Sequence, residues 1–516
     1  MSEPGHRGRR DLYTEVVYRT LVPCIWLLAL ATSTLASQNP PGKPDRTLPT
    51  GVVIPQQASA AKPDQSYALY LPSHYSSDRP WPIVYVFDPD ARGKIPVDLM
   101  KDAAEGHGYI VAASNNSRNG SWKVETEAAQ AMFEDTHARF AIDNRRLYFA
   151  GFSGGARVAA ALAQQCKCAA GVLLDGAGFA GTPPSRGDMF AVFATVGTFD
   201  FNYPELSALD KKLEDEGFPH ELRHFDGPHD WAPAGVMEEA LAWFRLMAMK
   251  QSREARDENF IAAERAAAGG RAHALEQSGQ AYEAWREYGQ AIATFKGLVD
   301  PAPFEQAAAA LAKDKSVRDG AKREAQEFEE QKQLTSAIYA SLTSLKMGAR
   351  SQPENSEPSQ PIMGGQGQRG GAPQPQDTGT NRSDVLHHAE QQIVSLRGRT
   401  TSEKNQEKLR VDRRALSGVF IAAAELGEES LDEKDFALAK GYFQLAADAN
   451  PDSVGILKAL ATARALDSDR GGALEALQRA KQKSADPAAF SAWLSGEPAF
   501  AKLREDPQFR ALLANP

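Results

Sequence analysis

The sequence predicts an α/β domain, a mostly parallel sheet covered by helices, followed by an all-α region. Three observations carry this expectation. From Tyr67 to about Lys250 short apolar runs alternate with helical patterns, which is how a chain reads when crossover helices join parallel strands. Beyond Lys250 the strand signals stop, and Ala, Glu, Lys, Arg and Gln dominate with helical spacing of the apolar residues. At 516 residues the chain exceeds the roughly 250 to 300 residues at which a single core stops growing, so at least two domains are required.

At the start, Arg7, Arg9, Arg10 and Arg19 precede the apolar run "LVPCIWLLALATSTLA", and the small residues Thr34 and Ala36 suit signal-peptidase cleavage before Ser37. Residues 1–36 are therefore expected to be an export signal, giving a periplasmic or secreted protein. The run is shorter than the about 20 apolar residues a bilayer span needs, so membrane attachment is expected only if the segment stays uncleaved. Next, "YALYLP", "PIVYVF", "YIVAAS", "RLYFAG", "GVLLDG", "MFAVFAT" and "ELRHF" read as the strands of a domain over 37–250.

A helical region is expected over 251–347, a Gly/Pro/Gln-rich disordered linker over 348–383, and a second helical domain over 384–516. In the last, Leu426, Gly427, Ala439, Phe443, Ala446 and Pro451 fall where the tetratricopeptide pattern places Leu, Gly, Ala, Phe, Ala and Pro. Adding the repeat period of about 34 residues brings Leu460, Ala473 and Ala480 into register, with Leu477 in place of the aromatic. "GQAYEAWREYGQAIATF" resembles the second helix of a further unit. Such repeats stack into a concave face suited to a protein partner.

Composition narrows the function. A net charge of −9 and no basic run with interleaved aromatics argue against nucleic acid. Of three cysteines, Cys24 lies in the signal; Cys166 and Cys168, two apart near a helix end, are expected to be buried thiols, because side chains at i and i+2 of a helix diverge. The isolated Cys-x-Cys and the pair His387 and His388 lack ligand spacing, so neither a metal nor another cofactor is expected.

The chemistry centres on Gly151-Phe152-Ser153-Gly154-Gly155, a G-x-S-x-G sequence that closes a predicted strand and opens a predicted helix. Glycines permit the sharp turn, and the helix N-terminus favours an oxyanion, with Gly154 N–H as its first donor. A serine hydroxyl needs a base, and His229 occupies the loop after the last strand, whereas His224 lies within that strand and His220 before it. The carboxylate that orients the base is expected to be Asp200, just after the run ending at Gly197; Asp175 and Asp226 are rivals. Trp231 either walls an acyl pocket or belongs to the core, and Asn115 and Asn116 are expected to form a turn.

"RRLYFAGFSGGA", "VGTFD" and "GPHDW" together resemble the catalytic segments of the α/β-hydrolase superfamily, nearest by pattern to secreted esterases, feruloyl esterases and polyhydroxybutyrate depolymerases, with dienelactone hydrolases beside them. The resemblance covers about Tyr67 to Lys250. It implies hydrolysis of a small or polymeric carboxylic ester through an acyl-enzyme, without a cofactor. In one place the chain departs: where many relatives have His-Gly after the third strand, Asp88 and Pro89 stand here, and the second oxyanion donor is then expected from the amide of Asp90 or Ala91. A serine peptidase with the same triad, or an inactive hydrolase fold whose repeats bind a partner, are the other readings.

Overall fold

A computed structural model of the protein describes residues 48–350 and 382–514. The expected signal over 1–36 lies outside the described residues, as does the expected linker apart from its two ends, which belong to helices. Among the described residues no helix is long and apolar enough to cross a membrane.

Among the described residues eight strands form one sheet: β1 (Val53–Ala58), β2 (Ser66–Tyr70), β3 (Trp81–Phe87), β4 (Ile110–Ser114), β5 (Ile142–Phe152), β6 (Ala169–Asp175), β7 (Ala191–Gly197) and β8 (His220–Phe225). Their order is β1-β2-β4-β3-β5-β6-β7-β8. β1 and β2 join antiparallel, and from β4 to β8 every pairing is parallel. All seven strands read from the sequence are present. β1 was not legible: Pro55 and two glutamines break its apolar pattern, and its register shifts between Ile54 and Gln57, features an edge strand tolerates.

Covered on both faces, β3, β4, β6 and β7 are buried at every residue, which is why they read as unbroken apolar runs. Ile83, Tyr85 and Phe87 pack towards α2 (Trp122–Arg139), α3 (Gly154–Cys166) and α4 (Tyr203–Glu216). Val84 and Val86 pack on the other face, with α1 (Lys94–His107) and α5 (Ala234–Lys250).

The expected division after Lys250 is not where the compact units part: the first runs on to Glu324 and the second begins at Ala325. Helices α6 (Glu258–Gln277), α7 (Ala281–Phe295) and α8 (Ala302–Leu311) share the core of the sheet, with Ile261, Tyr288, Phe295 and Phe304 in one cluster with Trp243 and Phe244. A buried ionic knot secures them. Arg223 of β8 meets Glu221 at 2.7 Å, Glu239 of α5 at 2.8 Å and Glu287 of α7, while Arg271 of α6 reaches Glu287 at 2.9 Å. Trp243 Nε1 donates to Thr294 Oγ1 at 2.9 Å, and Thr294 in turn to Glu221 at 3.0 Å.

Helix α9 (Lys315–Arg350) runs from the first unit into the second, which is all-helical: α10 (Arg382–Ser402), α11 (Gln406–Asp432), α12 (Phe436–Ala449), α13 (Val454–Leu466), α14 (Arg470–Lys483), α15 (Pro487–Gly496), a 3₁₀ turn over Pro498–Leu503, and α16 (Pro507–Ala514). Gly427 of α11 faces the Phe443 ring so closely that a Cβ there would lie 2.6 Å from it. Leu460, Ala473, Leu477 and Ala480 are buried at the matching positions of α13 and α14.

Cys166 and Cys168 are not free thiols but a disulfide. α3 stops at Cys166 and Lys167 turns left-handed at φ 54°, so the two residues do not share helical geometry and their Cα atoms come within 5.1 Å.

Candidate active site

Strand β5 delivers Ser153 into a sharp turn at φ 52° and ψ −118°, and α3 starts at Gly154. Such a backbone costs of order 1–3 kcal/mol in a non-glycine residue and persists only where the surroundings impose it. Here they do. A Cβ on Gly151 would lie 2.1 Å from Gly155 O, and one on Gly155 2.1 Å from Phe87 O, so β3, β5 and α3 meet backbone to backbone. Ser153 N–H donates to Asp175 O at 2.8 Å.

The structure brings Ser153, His229 and Asp200 into one chain of hydrogen bonds. His229 Nε2 lies 2.9 Å from Ser153 Oγ, and His229 Nδ1 lies 2.9 Å from Asp200 Oδ2. Asp200 is fully buried, and its second oxygen accepts from Asn202 N–H at 2.8 Å. With the Nδ1 proton directed at a carboxylate, Nε2 is left as the acceptor for the serine hydroxyl. Phe152 and Phe201 hold the imidazole, their centroids 4.7 and 4.6 Å from it.

The rival acids do not reach His229. Exposed Asp226 accepts from Thr198 at 3.3 Å. Asp175, buried at the end of β6, accepts from Thr195 Oγ1 at 2.5 Å and from Ala232 N–H at 2.7 Å, which ties down the loop that carries His229. The His224 ring lies tilted against that of Tyr203, their centroids 5.0 Å apart, and His220 bonds the Phe218 carbonyl and faces Asp210.

Burial raises the Asp175 carboxyl to about 8, against the hydrogen bonds from Thr195 and Ala232. The folded state therefore holds a proton there that the unfolded chain releases near pH 4, and Asp175 lowers stability progressively as pH rises from about 4 to about 8, by up to about 1.4 kcal/mol per unit. Asp175→Asn reproduces the protonated form, with its amide donating to Thr195 Oγ1 and its carbonyl accepting from Ala232. The variant is expected to lose less stability than the parent between pH 5 and 8, as read by urea denaturation at each pH. An unchanged pH slope would contradict this assignment.

The loop after β3, from which the second oxyanion donor is expected, has its amides otherwise engaged. Asp90 N–H donates to Asp88 Oδ1 at 2.9 Å and Ala91 N–H to the Asp88 carbonyl at 3.3 Å, so both amides are already used within the loop. Gly154 N–H, at the first position of α3, has no partner within the helix. What sequence reasoning missed is the use of Asp88. Its carboxylate turns away to Arg92 at 2.9 and 3.0 Å and to Trp231 Nε1 at 2.8 Å. Burial pushes the Asp88 carboxyl up, but Arg92, Trp231 and the Asp90 amide outweigh it and hold it below the usual carboxylate range. Trp231 is accordingly buried, with its ring against Phe152.

Asn116 Oδ1 accepts from Ser66 N–H at 2.8 Å, and Asn115 Nδ2 donates to Pro55 O at 3.1 Å, so this turn braces the sheet edge. Among the described residues no group of three His, Cys, Asp or Glu side chains is placed to hold a metal ion.

The order of the strands, the strand–turn–helix at Ser153 and the helices on both faces define an α/β-hydrolase fold, followed by a helical region. No family model matches the chain, and no curated protein matches it in sequence. Solved structures show a partial similarity to it. A ferulic acid esterase shares 15% identity at a TM-score of 0.33, covering 38% of this chain and 97% of that one. The fluorophosphonate-binding serine hydrolase FphF of Staphylococcus aureus shares 14% at 0.30, covering 37% and 97%. Thermogutta terrifontis esterase 2 shares 11% at 0.31, covering 39% and 96%.

Proposed function

We propose that this chain is an exported serine hydrolase that cleaves a carboxylic ester through an acyl-enzyme. The observation that carries the reading is His229, hydrogen-bonded at 2.9 Å to Ser153 on one side and to buried Asp200 on the other. Ser153 Oγ attacks the acyl carbon as His229 Nε2 takes its proton, and Asp200 stabilises the imidazolium. The tetrahedral oxyanion lies against the N-terminus of α3, at Gly154 N–H. Collapse expels the alcohol, which takes the proton from His229. Water, deprotonated by the same imidazole, then attacks the acyl-enzyme and releases the acid.

The helical region carries the tetratricopeptide-like positions and is proposed to hold a protein partner rather than to take part in the chemistry. Export rests on the residues before Ser37.

A panel of acyl esters and a panel of peptides, each run on the parent chain and on Ser153→Ala, tests the reading. Ester turnover lost in the variant, together with fluorophosphonate labelling confined to the parent, is the expected result. Turnover of peptides alone would replace esterase by peptidase, and a parent chain that neither labels nor turns over would remove the enzyme reading altogether.

A further inference from the structure

The loop after β3 is short of donors. Pro89 has no N–H. Asp90 and Arg92 N–H both donate to Asp88 Oδ1, at 2.9 and 3.2 Å, and Ala91 N–H donates to the Asp88 carbonyl. From Pro89 to Arg92, where a second oxyanion donor is expected, no backbone amide is free to serve.

Beside that loop lies the segment between β4 and α2. Asn119 N–H donates to Pro89 O at 2.8 Å, and Arg118 forms a bridge with Asp90. Glu125 secures the segment from α2, accepting from Ser117 Oγ at 2.6 Å and from Arg118 N–H at 2.8 Å. The Asn119 side chain is thereby set directly against the nucleophile turn: a Cβ on Gly154 would lie 1.8 Å from its Oδ1 and 2.9 Å from its Cγ. Asn119 is exposed, and among the described residues its carboxamide has no hydrogen-bond partner in the protein.

We propose that the Asn119 carboxamide supplies the second oxyanion donor, its Nδ2–H acting together with Gly154 N–H. The inference rests on the serine-hydrolase reading above. A side-chain amide suits the position because no internal bond fixes its flip, and the terminal torsion of asparagine is broad and roughly two-fold. The charge developing on the acyl oxygen therefore selects the N–H face. The anchored backbone means that only the side chain has to be ordered. A donor of this kind, removed from an oxyanion site, costs about 10²–10³ in kcat.

The test uses the full chain and a small soluble ester. Asn119→Ala is expected to lower kcat about 10²–10³-fold with KM nearly unchanged, and to weaken a boronic-acid transition-state analogue by a similar factor. Asn119→Asp, close in size but bearing a carboxylate in place of the donor, is expected to lose at least as much at neutral pH, and it carries the test alone if the alanine variant fails to fold. A kcat within twofold of the parent in a folded variant overturns the proposal, as does a loss confined to KM or to thermal stability. A parent chain that labels with fluorophosphonate and turns over while Asn119→Ala does equally well refutes this inference alone. A parent that does neither refutes the hydrolase reading with it.

Discussion

Ser153→Ala or His229→Ala is expected to lower kcat for ester hydrolysis by about five to six orders of magnitude, and Asp200→Asn by about 10⁴. Ser153 Oγ and Asp200 Oδ2 each bond a different nitrogen of one imidazole, so removing either end disables the other. The double variant Ser153→Ala/His229→Ala is expected to be no worse than either single one, because the residues act as a unit. Asp175→Asn is the discriminating control: its carboxyl bonds Thr195 and Ala232 and does not touch His229, so turnover should stay near that of the parent. Steady-state kinetics on purified variants, with circular dichroism to show an intact fold, make the comparison. If Asp175→Asn proved more damaging than Asp200→Asn, the acid would have been misassigned.

The second large effect concerns the helices after Lys250. A chain ending there is expected to be insoluble or to lack a cooperative thermal transition. It would uncover Trp243, Leu246 and Met247 of α5, which are buried in one cluster with Ile261, Ala272, Tyr288 and Phe295. It would also leave Arg223 without Glu287, and Trp243 Nε1 without Thr294. In the full chain, Arg223→Ala is expected to cost about 3–5 kcal/mol, because Glu221, Glu239 and Glu287 would lose the guanidinium that balances them. The urea midpoint reads this directly. A soluble, fully active chain ending at Lys250 would restore the division that the sequence suggests.

The first compact unit runs past Lys250 for a physical reason the sequence does not display. Arg271 on α6 and Glu287 and Gln290 on α7 look like solvated helix positions, and nothing in their spacing reveals that Arg223, far upstream on β8, takes the carboxylate of Glu287 while Gln290 Nε2 donates to Leu222 O at 2.7 Å. The strands were legible where two-sided burial demands uninterrupted apolar runs, as in β6 and β7, and illegible at β1, where one exposed edge admits Pro55. The candidate site was legible because Ser153 directly follows the apolar run of β5, Asp200 follows that of β7 by three residues, and His229 stands in the loop after β8. Asp88 was visible as an anomaly, but its outcome depended on Arg92 one turn later and on Trp231 from a distant loop. Asn119 gave no signal, since its approach to Gly154 depends on a contact between segments far apart in the chain.

The position of Asp175 has a consequence for how activity is lost on heating. One residue at the tip of β6 receives Ser153 N–H on its carbonyl and, on its carboxyl, Ala232 N–H from the loop of the base. Ser153 and the loop that carries His229 are thus moored to the same strand end rather than to separate pieces of surface. Neither can drift while that strand keeps its neighbours, so inactivation and melting of the sheet should be a single cooperative event. On the hydrolase reading, a folded but disarranged site should not accumulate, and turnover is expected to persist until the sheet melts and to be lost with it.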